Sequence, residues 1–91
     1  MENSPAEIIK EFIVHVEGLN FTVKGRVKKT IKGEDEHLFI GELSHYCKPF
    51  VDAATVYQPS LVKQDYNTVE HLVIRYLESF TTFDVMVNKY Y

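Results

Sequence analysis

The chain has 91 residues, of which 45% are hydrophobic, 13% aromatic and 25% charged, and its formal net charge is −3 at pH 7. A chain this short forms one domain around one core, which excludes a two-domain enzyme. The composition excludes a disordered chain, and the mild acidity argues against nucleic-acid binding through bulk positive charge. We therefore expect a single folded α+β domain over residues 1–91.

Three features predict a cytoplasmic protein with no membrane contact. No apolar run approaches the roughly 20 residues that cross a bilayer. The first five residues lack the basic start and apolar run of a signal peptide. Cys47 is the only cysteine, so no intrachain disulfide can form, as is usual in a reducing compartment.

The first part of the chain carries two competing patterns. Residues 4–7, Ser-Pro-Ala-Glu, match a helix capping box with proline at the first helical position. The following residues alternate, and they are rich in the β-branched and aromatic side chains that favour a strand. We predict a strand over residues 10–17, while the pattern leaves open whether residues 5–13 start as helix or strand.

Two more strands follow. Residues 17–20 tolerate positive φ and predict a hairpin turn. From residue 21 to residue 28, apolar and polar residues alternate, which is typical of a strand with one packed and one wet face. A polar turn over residues 32–36 leads to a third strand over residues 37–43. Its apolar residues fall on both faces and indicate an inner strand or one that faces a partner.

Residues 44–65 carry a weaker pattern. Pro49 and Pro59 disfavour helix at the residues before them, and residues 54–57 predict only a short strand. An irregular stretch of this length in a small domain is typically functional.

The strongest pattern is a helix over about residues 68–80. Asn67 and Glu70 have the spacing of an N-cap pair. The apolar residues that follow recur at helical spacing: Val69, Leu72, Val73, Tyr76, Leu77 and Phe80. We expect this stripe to pack on the sheet face that carries Phe12, Val14, Val16, Phe21 and Val23.

Residues 83–87 alternate again and predict a last strand that rejoins the sheet. The predicted fold is α+β: an antiparallel sheet of about four strands, in the order β-β-β-α-β, with one amphipathic helix packed on one face.

The segment around Cys47 concentrates reactive groups, with His45 two residues before it and Lys48 after it. A thiol beside an imidazole and an ammonium group can have its pKa lowered and act as a nucleophile. A lone cysteine is, however, more often a small buried hydrophobe, and a catalytic cysteine usually meets its base across the fold. A small thiol enzyme using Cys47 and His45 is therefore the second alternative function.

No other motif predicts catalysis. The four histidines, at positions 15, 37, 45 and 71, lack metal-ligand spacing. The four glycines are too widely spaced for a phosphate-binding loop. The sequence thus predicts no catalytic residue, no metal site and no cofactor, and favours a protein that is not an enzyme.

Residues 21–32 contain five basic residues and no acidic one. Lys24, Arg26 and Lys28 project from one strand face, where they could follow a phosphate backbone. Acidic residues predicted on neighbouring strands, including Glu11 and Glu42, offer cross-strand ion pairs instead. A nucleic-acid-binding module using the basic strand 24–32 is the first alternative function.

One helix on one sheet cannot bury all of the apolar and aromatic side chains. Exposed rings and isoleucines that cluster mark a contact surface. The candidates are Tyr46, Phe50, Tyr57, Ile74, Tyr90 and Tyr91. The sequence therefore predicts a small non-catalytic binding or assembly module with an aromatic-rich contact surface. Its partner would be another protein or a second copy of the chain, as in a homodimer.

Overall fold

The structure, a computed structural model, describes residues 6–32 and 36–91. Its elements in chain order are β1 (Ala6–His15), β2 (Thr22–Lys32), β3 (Glu36–Leu43), β4 (His45–Tyr46), β5 (Val62–Lys63), α1 (Tyr66–Glu78) and β6 (Met86–Val87). Four strands form an antiparallel sheet in the order β1-β2-β3-β5, and β4 pairs with β6 separately. Helix α1 packs on the larger sheet, so the predicted α+β fold is confirmed.

Strands β1 and β2 form a long hairpin. In the turn, Gly18 has φ 97° and the Leu19 N–H donates to the Val16 carbonyl at 3.0 Å. The predicted turn is confirmed, and β1 already begins at residue 6, because the β-branched run dominates over the capping-box pattern. Residues 1–5, which hold the first two of the four residues of that pattern, lie outside the described residues, as do residues 33–35 of the second predicted turn.

A β-bulge in β1 decides which side chains share a face. Ile8 lies opposite Lys28 and Lys10 lies opposite Val27, so that Ile9 is the extra residue. Opposed residues of an antiparallel pair project to the same side. We call the side away from the helix the open face. In β1, β2 and β3 it carries Ile8, Glu11, Ile13, Lys24, Arg26, Lys28 and Glu42.

The core lies between β2, β3 and α1. Five of the six apolar stripe residues of the helix are buried, and Leu72 is half-buried. Val73 lies directly above two glycines: a Cβ at Gly25 or at Gly41 would stand 2.7 Å from one of its methyl groups. Phe12, Val14 and Val16 pack around the core as predicted. Phe21 instead remains partly exposed and stacks on His45, with ring centroids 4.6 Å apart.

The helix begins two residues earlier than the sequence predicts. Its N-cap is Asp65, whose Oδ2 accepts the Thr68 N–H at 3.0 Å and the Thr68 hydroxyl at 2.6 Å. Asn67, the predicted cap, lies inside the first turn. Aspartate caps a free helix N–H as well as asparagine does. The position of Asp65, and not that of Asn67, therefore determines where the helix starts.

Two strand predictions differ from the structure in the second half of the chain. Residues 54–57 form no strand. The last strand is short and pairs with β4 instead of rejoining the four-stranded sheet. The Asn88 N–H donates to the Ser44 carbonyl at 2.8 Å, and the Lys48 N–H donates to the Phe83 carbonyl at 3.0 Å. These bonds hold residues 83–88 beside the segment that follows β3.

Candidate functional site

An apolar pocket of about 420 Å³ lies between the irregular segment 47–61 and helix α1. Ligand-binding pockets commonly have this size, with mostly apolar walls and few polar groups. The lining residues are Cys47, Pro49, Tyr57, Pro59, Leu61, Leu72, Arg75, Tyr76 and Ser79. Two prolines, two tyrosines and two leucines thus form most of the wall.

Tyr76 fixes the irregular segment to the helix. Its hydroxyl accepts the Cys47 N–H at 3.1 Å and donates to the Tyr57 carbonyl at 2.6 Å. Burial raises the pKa of Tyr76, so the hydroxyl keeps the proton that it donates. The Tyr57 N–H donates in turn to the Cys47 carbonyl at 3.0 Å. One helix side chain therefore holds two points of segment 47–61, Cys47 and Tyr57, against the helix.

Two groups at the pocket remain accessible to a partner. The side chain of Tyr57 stacks on the ring of Tyr76 at 5.9 Å between centroids, and Tyr57 is 55% exposed. Arg75 is exposed in the last turn of α1. Within the described residues, no carboxylate lies within 4.0 Å of its guanidinium. An apolar pocket beside an unpaired guanidinium suits an apolar group that has a carboxylate next to it.

Cys47 forms part of the pocket floor but is only 4% exposed. Its sulfur accepts the Thr81 N–H at 3.3 Å. His45 is engaged elsewhere: its Nδ1 lies 2.8 Å from the Ser44 hydroxyl, and burial lowers its pKa. No hydrogen bond joins His45 to Cys47 in the described part of the chain. The geometry therefore gives the thiol-enzyme alternative no support.

Among the described residues, no group of three or more histidine, cysteine, aspartate or glutamate side chains is placed to hold a metal ion. In the same part of the chain, no helix is long and apolar enough to cross a membrane.

Of the three basic residues predicted to contact phosphate, two are paired in the structure. Glu42 joins Arg26 and Lys28, with Oε1 2.6 Å from Arg26 Nε and Oε2 3.1 Å from Lys28 Nζ. Within the described residues, Lys24 forms no ion pair. The Tyr91 ring lies 4.1 Å from the Arg26 guanidinium, and its hydroxyl donates to Glu11 at 2.7 Å. One cross-strand carboxylate and a C-terminal ring thus engage Arg26 and Lys28, two of the three residues that would contact phosphate.

The six predicted contact residues are distributed over the molecule. Of these, only Tyr57 lines the pocket. Tyr46 lies half-buried in β4, where its hydroxyl accepts an Asn88 amide N–H at 3.3 Å, and Tyr91 packs on the open face. Phe50 and Tyr90 are exposed.

Ile74, the sixth predicted residue, lies on the flank of α1 that faces β1. Together with Phe12, Ile13, Leu77 and neighbouring glutamates it lines a shallow groove of about 340 Å³.

The sequence does not predict Leu72 and Arg75 as residues of the pocket between segment 47–61 and α1. Nothing in a single sequence indicates which flank of the helix the irregular segment covers.

The outer edge of β1 is a further exposed feature. In the described part of the chain, β1 pairs only with β2, so one edge of this 10-residue strand is unpaired. Three isoleucines, at positions 8, 9 and 13, are exposed along it. A long exposed edge strand with apolar side chains readily pairs with another strand.

The fold and the two surfaces define a small α+β protein with an apolar pocket and an open sheet edge. No protein-family model, no curated protein and no solved structure matches the chain.

Proposed function

We propose that this chain is a non-catalytic binding and assembly module that contacts a partner protein through the pocket between segment 47–61 and α1, and that it self-associates. The observation that carries the binding part is the exposed Tyr57 ring at an apolar pocket, beside the Arg75 guanidinium, which pairs with no carboxylate of the described residues. Aromatic and arginine side chains dominate the energetics of protein contacts. The partner segment that fits is an apolar residue next to an acidic one.

The buried thiol and the ion pairs of Glu42 support this function over the two alternatives. Cys47 is only 4% exposed, and Glu42 engages both Arg26 and Lys28. The pocket, in contrast, offers apolar surface and the Arg75 guanidinium, which no carboxylate of the described residues pairs with.

Selection from a random peptide library tests the binding part. We expect the wild-type chain to enrich peptides with an apolar residue beside an acidic one. These peptides should lose affinity for Tyr57→Ala and Arg75→Glu. Lys89→Glu, an equal charge change away from the pocket lining, is the matched control and should bind normally. Peptides that bind all variants equally, or no enrichment, would contradict the proposal.

A further inference from the structure

From the geometry of β1 we infer that the chain forms a two-fold dimer in which the outer edges of two β1 strands pair antiparallel, with Ile13 opposite Ile13 of the second copy. This inference rests on the self-association in the proposed function and specifies the surface that produces it. The two sheets would then form one continuous antiparallel sheet.

Two-fold symmetry leaves few possible registers. When two copies of one strand pair antiparallel, the axis runs perpendicular to the sheet and one residue lies opposite its own copy. The bulge at Ile9 interrupts the strand, so a regular pairing uses the part from Lys10 to His15 and its flanks. The central residue is therefore one of residues 11–14.

The register centred on Ile13 is complementary on both faces from residue 11 to residue 15. On the open face, Ile13 meets its own copy, and Glu11 of each copy lies opposite His15 of the other. On the helix side, Phe12 lies opposite Val14. Favourable cross-strand combinations are two apolar side chains, or two polar side chains that hydrogen-bond or carry opposite charges. Ile13, which is 60% exposed in the single chain, becomes covered by its own copy.

Each neighbouring register places unfavourable pairs at the interface. Centring on Glu11 brings two carboxylates together on the axis. Centring on Phe12 places Glu11 against Ile13, and centring on Val14 places Glu11 against Glu17. Like charges directly opposite one another are destabilising. A strand that is complementary to its own sequence in one register fits a second copy of this chain better than an unrelated strand.

The helix side of the edge supports the same arrangement. On this side the groove beside β1 is lined by Phe12 and Val14 from the strand and by Ile74 and Leu77 from the helix. A second β1 strand would lie along this groove, and the side chain of its own Val14 would project beside Phe12. The half-buried Ile74 would then gain apolar cover.

Sedimentation at a series of concentrations tests the inference, with circular dichroism to check that each variant folds. In Ile13→Glu the new carboxylate lies opposite Lys24 of the same hairpin, so the folded monomer is favoured. In the dimer, however, the substitution places two carboxylates opposite each other on the axis. We expect it to raise the dimer Kd by roughly tenfold or more. Ile8→Glu is the matched control, since Ile8 is 54% exposed, faces Lys28 and lies outside the paired region. It should leave the Kd unchanged.

A charge swap gives an independent readout. Glu11 and His15 are four residues apart on one strand, roughly 13 Å within a single chain, so they can meet only across the dimer. Glu11→Lys and His15→Glu should each weaken the dimer, and the double variant should restore it. If the dimer withstands Ile13→Glu, or if the double variant does not restore it, the register centred on Ile13 is wrong. The proposed self-association would still stand. A wild-type chain that stays monomeric at high concentration would overturn the proposed self-association as well.

Discussion

Val73 of the helix lies so close to Gly41 of β3 that a Cβ on the glycine would stand 2.7 Å from Val73 Cγ2. The same hypothetical atom would lie 2.9 Å from Leu61 Cβ. Gly25 of β2 lies under the other methyl group of Val73. The absence of side chains at these two positions lets the helix approach the sheet closely, and this approach positions the pocket wall that the helix contributes.

Replacing Gly41 by a residue with a side chain should therefore destabilise the fold. We expect Gly41→Ala to lower the free energy of unfolding by about 1–3 kcal/mol, because the new methyl group overpacks the contact between helix and sheet. Urea denaturation measures the loss. In a Val73→Ala background the cost should shrink, since one of the two opposing groups has been removed. Equal costs in both backgrounds would contradict the close contact.

The N-cap of α1 makes a prediction about pH. Hydrogen bonds from the Thr68 hydroxyl and N–H lower the pKa of Asp65. Its contribution to stability is therefore complete above the ordinary pKa of 3.8 and is lost as the pH falls through the lowered value. Thermal unfolding should show that Asp65→Ala lowers Tm at neutral pH. Asp65→Asn should keep most of the capping and remove this part of the acid sensitivity.

Asn67 provides the control for the cap. Its replacement by alanine should leave Tm nearly unchanged, because the structure places it after the cap. A larger effect of Asn67→Ala than of Asp65→Ala would show that the helix starts where the sequence pattern alone predicts.

The hydroxyl of Tyr76 should contribute measurably to stability. Tyr76→Phe removes the acceptor of the Cys47 N–H and the donor to the Tyr57 carbonyl. Leaving buried polar groups unpaired should cost about 1–3 kcal/mol in urea denaturation. Tyr90→Phe is the control, since Tyr90 is 87% exposed, and it should have almost no effect. A neutral Tyr76→Phe would mean that the pocket wall is not held by this residue.

The ion pairs of Glu42 predict how the basic strand behaves toward nucleic acid. The wild-type chain should not retard RNA or DNA in a gel, even at about 50 mM salt. Glu42→Gln releases Arg26 and Lys28 and should produce retardation that disappears as the salt concentration rises. Glu78→Gln makes the same charge change on the helix and is the control. It should produce no retardation. Retardation by the wild-type chain as strong as that by Glu42→Gln would favour the nucleic-acid alternative.

The sequence predicted the elements whose side chains repeat over several residues. The helix stripe from Val69 to Phe80 and the alternation in β2 are long enough to reveal their periods. The two-residue strands β4, β5 and β6 are too short to show any period, so their pairing depends on contacts between distant residues.

The surfaces were harder to predict, for a physical reason. The sequence predicts Tyr57 as a contact ring, but it contacts a pocket with Leu72 and Arg75 only after the irregular segment folds back on the helix. The bulge at Ile9, which places Ile8 and Ile13 on one face, leaves no mark in the residue pattern. Both features depend on tertiary pairing and not on local propensity.

Hydrogen exchange at varied protein concentration tests the edge pairing most directly. Amides of residues 11–15 that point away from β2 should exchange quickly in dilute protein and slow down as the dimer forms. Amides in residues 49–57 should not change. A dimer in which residues 11–15 gain no protection would contradict the account.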